Sequence, residues 1–302
     1  MQPTSPDGPV WHEGELAVQL RAGVGEVSGR GIRSSIPEGL IDFLSDRRLV
    51  VFASVDSDRR TWASLRVGDP GFLRVIDSLT LETGSADVDG DPLLTNLKQN
   101  PDVGMVIIDL ATRRRARING EAEVLPDRRL RIQARQVYGN CPQYIQLRIP
   151  EEALLGNKAP SLISRGTKLS RTQHEWIAQA DTMFIASAHP QRGADASHRG
   201  GNPGFVKVEG TRRLIIPDYS GNTMFNTLGN ISVNPRTGLL FLNFEQGRTL
   251  QLSGSATIDW DSDRSGFPGA QRLLTFDIEK VIEIEQPALS GYALKEYSPF
   301  NP

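Results

Sequence analysis

Short apolar segments alternate with turn-forming residues through the second half of the chain, a pattern typical of antiparallel β structure. Asn222–Val233 differs, because its apolar residues recur at helical spacing and Asn234-Pro235 marks the end of a helix. A Gly-Gly-Asn-Pro turn predicts a hairpin between the second and third strands. The predicted strands are Thr182–Ala188, Ala194–Arg199, Gly204–Val208, Arg212–Ile216, Gly238–Phe244 and Thr249–Asp259.

The first half repeats this order of elements. A helix is predicted at Asp91–Gln99, with Asp91 as its cap and Pro92 at its first position. Further helices at Pro37–Ser45 and Thr172–Gln179 open the two halves. The predicted strands are Leu49–Val55, Thr61–Leu65, Phe72–Ile76, Ser78–Glu82, Val103–Leu110 and Arg115–Leu125.

Three sequence blocks recur in the same order, about 133 residues apart. Ser64–Phe72 and Ser197–Phe205 share six of nine residues. The segments beginning at Asn96 and Asn230 share Asn, Asn, Pro and Gly before an apolar run, and a third block aligns Gly120 with Gly254. Such a long period indicates duplication of a whole domain.

These patterns predict a mainly β protein made of two copies of one small barrel with flanking helices. We divide the 302 residues into an arm at 1–36, copy one at 37–150, a linker at 151–171, and copy two with a C-terminal tail at 172–302. Tyr138–Ile145 is predicted to begin a helical connection that includes Glu151–Leu155.

Composition narrows the class of protein. A net charge of −2 argues against a general nucleic-acid partner, and the apolar runs are too short to span a membrane. The first residues show no basic or apolar stretch typical of a secretory signal, so we expect the cytoplasm. The lone Cys141 excludes an intrachain disulfide and is interpreted as structural.

Eight arginines crowd into residues 113–135, against three acidic residues. They form either a solvated, partly paired surface or a site for phosphate or another anion. No aromatic residues are interleaved with them as in binders of single-stranded nucleic acid.

A polar cluster in copy two has the composition of a phosphate site. Asp195, Ser197 and Arg199 alternate along one predicted strand and therefore share a face. The segment Pro217–Thr223 leads into a predicted helix whose N-terminus offers free N–H groups. An ordinary capped helix beside a surface arginine is the alternative interpretation. Copy one has the more acidic segment Thr83–Pro92 instead.

Other chemistries find little support. No dinucleotide-binding or Walker phosphate loop is present. The His-Glu pairs at His12 and His174 lack the second histidine of a zinc protease, and His189 and His198 have no matched carboxylate pattern. We therefore predict no metal site.

Copy two resembles the pyridoxamine 5′-phosphate oxidase-like split barrel, an FMN-binding fold. The resemblance is carried by Ala194–Val206, Pro217–Asn222 and Asn234–Phe241. Three more segments are similar to a two-copy subgroup of flavin-nucleotide-binding proteins, so that the matches span nearly the whole chain. They are His12–Gln19, Trp62–Ser64 and Tyr138–Gln146.

The resemblance implies tandem FMN-binding split barrels with FMN at a barrel–barrel interface, FAD or a deazaflavin ranking lower. It implies that the phosphate and ribityl chain are bound by the strand Ser197–Arg199, together with Asp195, and by the turn Asn222–Thr223. It also implies that the flavin ring is approached by Pro217–Ser220, which includes Asp218 and Tyr219. The opposing barrel is copy one, as an internal pseudo-dimer, or a second chain in a homodimer. Trp62, Ser64 and Arg66 hold equivalent positions in copy one and shape this pocket or form a second, weaker site.

Two departures set the expected activity. Asn222-Thr223 stands where the oxidases have an Arg-Lys pair, and residues 291–302 lack their arginine-containing substrate motif. We therefore expect an FMN-dependent oxidoreductase acting on an unidentified small molecule, with no catalytic residue assigned. A non-catalytic flavin-binding module, and a barrel that has lost its ligand or binds a deazaflavin or haem, stay open as alternatives.

Overall fold

Two β-sheets with the same strand order dominate the computed structural model, which describes residues 4–5, 8–25, 27–85, 88–150 and 159–302. Barrel one is built on the order β4-β3-β7-β8-β9-β6-β5. Its helices are α2 (Glu38–Ser45) and α3 (Leu93–Gln99). Its strands are β3 (Leu49–Val55), β4 (Thr61–Val67), β5 (Leu73–Val75), β6 (Thr80–Ser85), β7 (Asp102–Asp109), β8 (Arg114–Val124) and β9 (Arg129–Gly139).

Barrel two repeats that order as β13-β12-β16-β17-β18-β15-β14, with β11 paired to β18. Its helices are α4 (Arg171–Gln179) and α5 (Asn226–Val233). Its strands are β11 (Ser161–Gly166), β12 (Thr182–His189), β13 (Gly193–Gly200), β14 (Lys207–Glu209), β15 (Arg213–Asp218), β16 (Arg236–Asn243), β17 (Arg248–Asp259) and β18 (Arg272–Glu285). The prediction of a duplicated, mainly β fold is confirmed.

The repeated asparagines have the same structural role in both barrels. Asn96 on α3 donates a hydrogen bond to Ser54 on β3, with 3.0 Å between Nδ2 and Oγ. Asn230 on α5 donates to Ser187 on β12 over the same distance. Each buried bond ties the helix of a barrel to its central sheet, which explains why the asparagines recur.

Each barrel encloses an apolar core, and a third core lies between them. That third core joins residues of β3 and β7 to residues of β12 and β16, including Val51, Val106, Phe184 and Leu240. The recurring glycines allow the barrels to approach closely. A Cβ at Gly104 would lie 2.5 Å from the Cα of Asp195, and one at Gly238 would lie 2.8 Å from the Cα of Trp62.

Two local predictions are wrong. β13 and β14 do not form a hairpin, because β13 pairs with β12 and β14 pairs with β15 at the opposite end of the sheet. The connection after Tyr138 is not helical over the residues described: β9 runs to Gly139, and residues 147–150 form strand β10 (Leu147–Pro150), paired with β19 (Tyr292–Glu296). The predicted Glu151–Leu155 portion lies outside the described residues.

The N-terminal arm contains a short strand pair, β1 (Thr4–Ser5) and β2 (Gly8–Pro9), and the helix α1 (Glu13–Arg21). A capping box between His12 and Glu15 begins α1. This helix packs closely on α5, where a Cβ at Gly14 would lie 2.3 Å from the carbonyl oxygen of Gly229. Within the described residues, no helix has the length and apolar character needed to cross a bilayer.

Candidate functional site

A polar cavity of about 220 Å³ lies where the two barrels meet. Barrel two supplies β13, the end of β15, the loop 219–225, the start of α5 and the start of β18. Barrel one supplies Arg115 and Arg117 from β8 and the segment 140–144 after β9, while Ala22 and Val24 of the arm also line the space. We call this space the inter-barrel cavity.

The structure brings most of the predicted site residues into this cavity. Seven of them line it: Ser197, Arg199, Asp218, Tyr219, Ser220, Asn222 and Thr223. Asp195 lies just behind them, in contact with Arg117. Trp62, Ser64 and Arg66 lie elsewhere, on β4 of barrel one.

Asp195 joins the barrels through a buried polar network. Its carboxylate forms an ion pair with Arg117 and accepts hydrogen bonds from Asn119 Nδ2 and Tyr138 Oη, each at 3.2 Å. Burial lowers the pKa of Arg117, but the combined effects of Asp195, Tyr138 and Glu15 outweigh burial and raise this pKa overall. The guanidinium of Arg117 therefore remains a fixed positive charge in the cavity wall.

A second charged group lies along β13, β15 and β18. Arg199 Nη2 is 3.7 Å from Asp218 Oδ1, and Arg272 Nη1 is 3.5 Å from Asp218 Oδ2. Arg199 also donates to Ser197 Oγ at 3.2 Å. Burial raises the pKa of Asp218, while the two arginines act in the opposite direction. One carboxylate thus serves two guanidinium groups.

Arg115 fixes the protonation state of His198. A guanidinium group only donates, so the 2.9 Å contact between Arg115 Nη1 and His198 Nδ1 leaves the ring proton on Nε2. Burial, followed by the charge of Arg115, holds the pKa of His198 well below its usual range. Burial also lowers the pKa of Arg115 to about 10, so it stays charged at neutral pH.

Several buried polar atoms of the cavity wall have no hydrogen-bond partner in the described part of the chain. They include Nε of Arg115, Arg117 and Arg272, Nε2 of His198 and Oδ1 of Asn140. Burying such groups unpaired costs about 1–3 kcal/mol each. With four arginines facing two aspartates, the wall has donors and positive charge suited to an anionic ligand.

The turn before α5 departs from the sequence prediction. The helix begins at Asn226 instead of Asn222, because Thr223 and Phe225 adopt left-handed backbone conformations with φ of 60° and 59°. Asn222 and Thr223 therefore lie in an exposed loop and bond to their own neighbours. Such strained positions cluster at ligand sites, where the surrounding structure must hold them.

Aromatic rings flank the open side of the cavity. The rings of Tyr144 and Tyr219 lie 5.2 Å apart, and Tyr144 Oη donates to the carbonyl oxygen of Ser220 at 2.9 Å. Cys141 lies in the same wall, half-buried, with its thiol donating to Gln143 Oε1 at 3.1 Å. This contact does not oppose its interpretation as a structural residue.

Sequence reasoning did not assign Arg115, Arg117 and Arg272 to the site. Arg115 and Arg117 belong to the arginine-rich segment 113–135, for which two interpretations were left open. The other arginines of that segment pair largely at the surface, as Arg135 does with Glu121. Arg272 begins β18, a strand the sequence analysis did not place. The alternation of apolar and polar residues from Arg272 to Glu285 is the signal that would have found it.

Three potential metal ligands, His12, Glu13 and His189, come within 4.8 Å of one another. Their ring nitrogens already have protein partners. Both Nδ1 atoms accept backbone N–H bonds, from Gly14 and Gln191, while the Nε2 atoms contact Asn230 Oδ1 and Glu13 Oε1 at 3.0 Å. These contacts attach the arm to barrel two.

Comparisons with known proteins agree with the duplicated architecture. The family described as pyridoxamine 5′-phosphate oxidase matches residues 36–158 and again 169–275. A search of curated proteins finds no match.

Among solved structures, a putative pyridoxamine 5′-phosphate oxidase from Lactobacillus delbrueckii is 15% identical, with a TM-score of 0.32, covering 38% of this chain and 94% of that one. The H111A form of HupZ from Group A Streptococcus is 11% identical, with a TM-score of 0.32 and coverages of 38% and 98%. A FAD-binding protein from Mesorhizobium loti is 13% identical, with a TM-score of 0.29 and coverages of 40% and 98%. Because the family match spans most of the sequence, in two consecutive copies, the chain belongs to the pyridoxamine 5′-phosphate oxidase family.

Proposed function

We propose that this protein binds a flavin nucleotide, FMN, in the inter-barrel cavity and acts as an FMN-dependent oxidoreductase. The observation that carries the proposal is the set of buried, unpartnered donors on Arg115, Arg117 and Arg272 in a wall contributed by both barrels. Family membership supports a flavin as the ligand, and the wall supports its phosphate group.

The net charge of the wall suits the phosphate group of FMN. Four arginines against two aspartates leave an excess of two positive charges. A phosphate monoester carries about −1.5 to −2 charges at neutral pH, which matches this excess. Arg199, with Ser197, holds the phosphate from barrel two, and Arg117 approaches it from barrel one.

FMN, when bound, supplies hydride-transfer chemistry. The chain's own residues hold and shield it. Tyr144 and Tyr219, which line the cavity, would border the flavin ring, and Ala22 and Val24 of the arm would help to exclude water. Neutral His198 cannot contribute a charge there, because burial and Arg115 hold its pKa low.

The protein should be yellow when purified, with an absorbance band at about 450 nm. Arg199→Ala should lower the flavin content by roughly tenfold or more, because a charge-assisted bond contributes about 1.5–3 kcal/mol. Arg213→Ala is the matched control, since Arg213 lies on β15 of the same barrel but is exposed and pairs with Asp277. Equal flavin content in the two variants would contradict the assignment of the phosphate site.

Enzymatic turnover needs a separate test. Anaerobic addition of NADPH or another hydride donor should bleach the band, and air should restore it. A protein that holds FMN but is not bleached by a panel of donors would be a binding module instead of an oxidoreductase.

A further inference from the structure

Barrel one contains a counterpart of the cavity wall at equivalent repeat positions. On β4, Ser64 and Arg66 occupy the places that Ser197 and Arg199 hold on β13. Both are buried, with Ser64 fully inaccessible and Arg66 3% exposed. The serine and the arginine of a phosphate site are therefore present twice in the chain.

The opposing strand has changed its chemistry. Barrel two faces Ser64 and Arg66 with Thr249 and Gln251 of β17. At the equivalent positions of β8, barrel one faces the inter-barrel cavity with Arg115 and Arg117. Two positive charges are replaced by neutral groups. We call the group of Ser64, Arg66, Asp91 and Gln251 the counterpart site.

Asp91 fills the centre of the counterpart site. Its Oδ1 lies 3.0 Å from Arg66 Nη2 and accepts a bond from the backbone N–H of Leu93 at 2.9 Å. Its Oδ2 accepts from Gln251 Nε2 at 2.5 Å. Only 1% of the Asp91 side chain is exposed. The carboxylate thus makes the contacts to an arginine and to the opposite barrel that a bound anion would make.

The outer side is closed by β11. A Cβ at Gly90 would lie 2.8 Å from Leu162, and Arg165 donates to the carbonyl oxygen of Gly90 at 2.8 Å. Leu162 also packs on a buried apolar cluster that includes Trp62, which occupies the place of Asp195. Strand β11 thus covers the counterpart site from this side.

We propose that the counterpart site is an anion site occupied by the carboxylate of the chain's own Asp91, and that removing this side chain opens the site to a phosphate-type anion. The chain then binds one flavin nucleotide, not two. The inference rests on the proposed function in taking the inter-barrel cavity as the phosphate site. In the described part of the chain, the buried Ser64 hydroxyl has no hydrogen-bond partner, which leaves a donor available for such an anion.

The test compares the effect of phosphate on thermal unfolding in three proteins: wild type, Asp91→Ala and Asp91→Asn. All three keep the inter-barrel cavity, so its response to phosphate is common to them. At about 20 mM phosphate and constant ionic strength, Asp91→Ala should gain roughly 3 °C more than wild type. Asp91→Asn should gain no more than wild type, because the amide removes the charge but still fills the space.

An equal phosphate response in all three proteins would overturn the proposal. Asp91→Ser serves as a second variant if the alanine variant does not fold. A titration of wild type with FMN supplies an independent measurement: saturation at one equivalent per chain supports the closed counterpart site, and two equivalents contradict it. No binding of FMN would reject the proposed function, while the phosphate comparison would still decide the role of Asp91.

Discussion

The inter-barrel cavity and the counterpart site lie on the same scaffold, but only the cavity keeps a cationic wall. Both barrels share the strand order, the buried Asn–Ser bond and the close glycine crossing. The sites differ in the side chains of several strands and in one loop carboxylate. Duplication therefore preserved the architecture, while the chemistry of the two sites diverged through side chains that the architecture does not constrain.

The arm adds a second asymmetry. Helix α1 packs on α5 of barrel two, and buried Glu15 accepts a bond from Asn226 Nδ2 at 2.5 Å. Asn226 lines the inter-barrel cavity, so the arm supports the wall of that cavity directly. Among the residues described, α3 of barrel one has no helix packed on it in this way.

The largest effect is expected from Arg117. Arg117→Ala leaves Asp195 as an uncompensated buried carboxylate and should lower the free energy of unfolding by about 3–5 kcal/mol. Gln251→Ala, at the equivalent position, should cost about 1 kcal/mol, because it removes one hydrogen bond. Denaturant titration measures both, and equal losses would show that the charged pair is not the point of difference.

The next effect is a pH dependence of the free energy of unfolding that comes from Glu15 of the arm. Burial raises the pKa of Glu15 from 4.5 to about 7, so folding favours the protonated carboxyl. The contribution of Glu15 to the free energy of unfolding should therefore be greatest below about pH 4.5. It should fall by roughly 3 kcal/mol as the pH rises to about 7. Glu15→Gln should remove this dependence in denaturant titrations. Glu175→Gln, at an exposed position of α4, should keep this dependence, and an unchanged pH dependence in Glu15→Gln would refute the assignment.

A smaller and symmetric effect should follow at the crossing of the barrels. Gly104→Ala and Gly238→Ala each place a Cβ against backbone of the other barrel and should cost about 1–3 kcal/mol. Gly139→Ala has open space around its added carbon and should change the free energy of unfolding by less than about 0.5 kcal/mol. A large loss at Gly104 with none at Gly238 would show that the two crossings are not equivalent.

The smallest effect separates the repeated asparagines. Asn96→Ala and Asn230→Ala each lose the bond to a serine, but Asn230 Oδ1 also contacts His12 Nε2 at 3.0 Å. Asn230→Ala should therefore cost about 1 kcal/mol more than Asn96→Ala in the free energy of unfolding. Equal costs would indicate that the arm gains nothing from this contact.

The repeat, the barrel class and most strands follow from the sequence, since turn residues and apolar runs carry local information. β9 and β18 were not placed, although both alternate polar and apolar residues, as the buried Leu130 and Ile132 do with Arg129 and Arg131. The predicted hairpin between β13 and β14 was wrong, because which strands pair depends on contacts distant in sequence.

The candidate site was predictable on one side only. The strand from Asp195 to Arg199 and the segment from Asp218 to Thr223 gave local signals, and the structure brings them into one cavity. Arg117 reaches that cavity from the other barrel, and Asp91 meets Gln251 across 160 residues of chain. No local pattern reports such contacts, so the charge balance of the two sites required the folded structure.

The most direct test of the central claim is the affinity of the wild-type protein for FMN compared with riboflavin, which lacks the phosphate. If Arg117 and Arg199 hold that phosphate, FMN should bind roughly 100-fold more tightly, as expected from two charge-assisted contacts. Fluorescence titration measures both constants under the same conditions. Equal affinities for the two flavins would contradict the assignment of the inter-barrel cavity as a phosphate site.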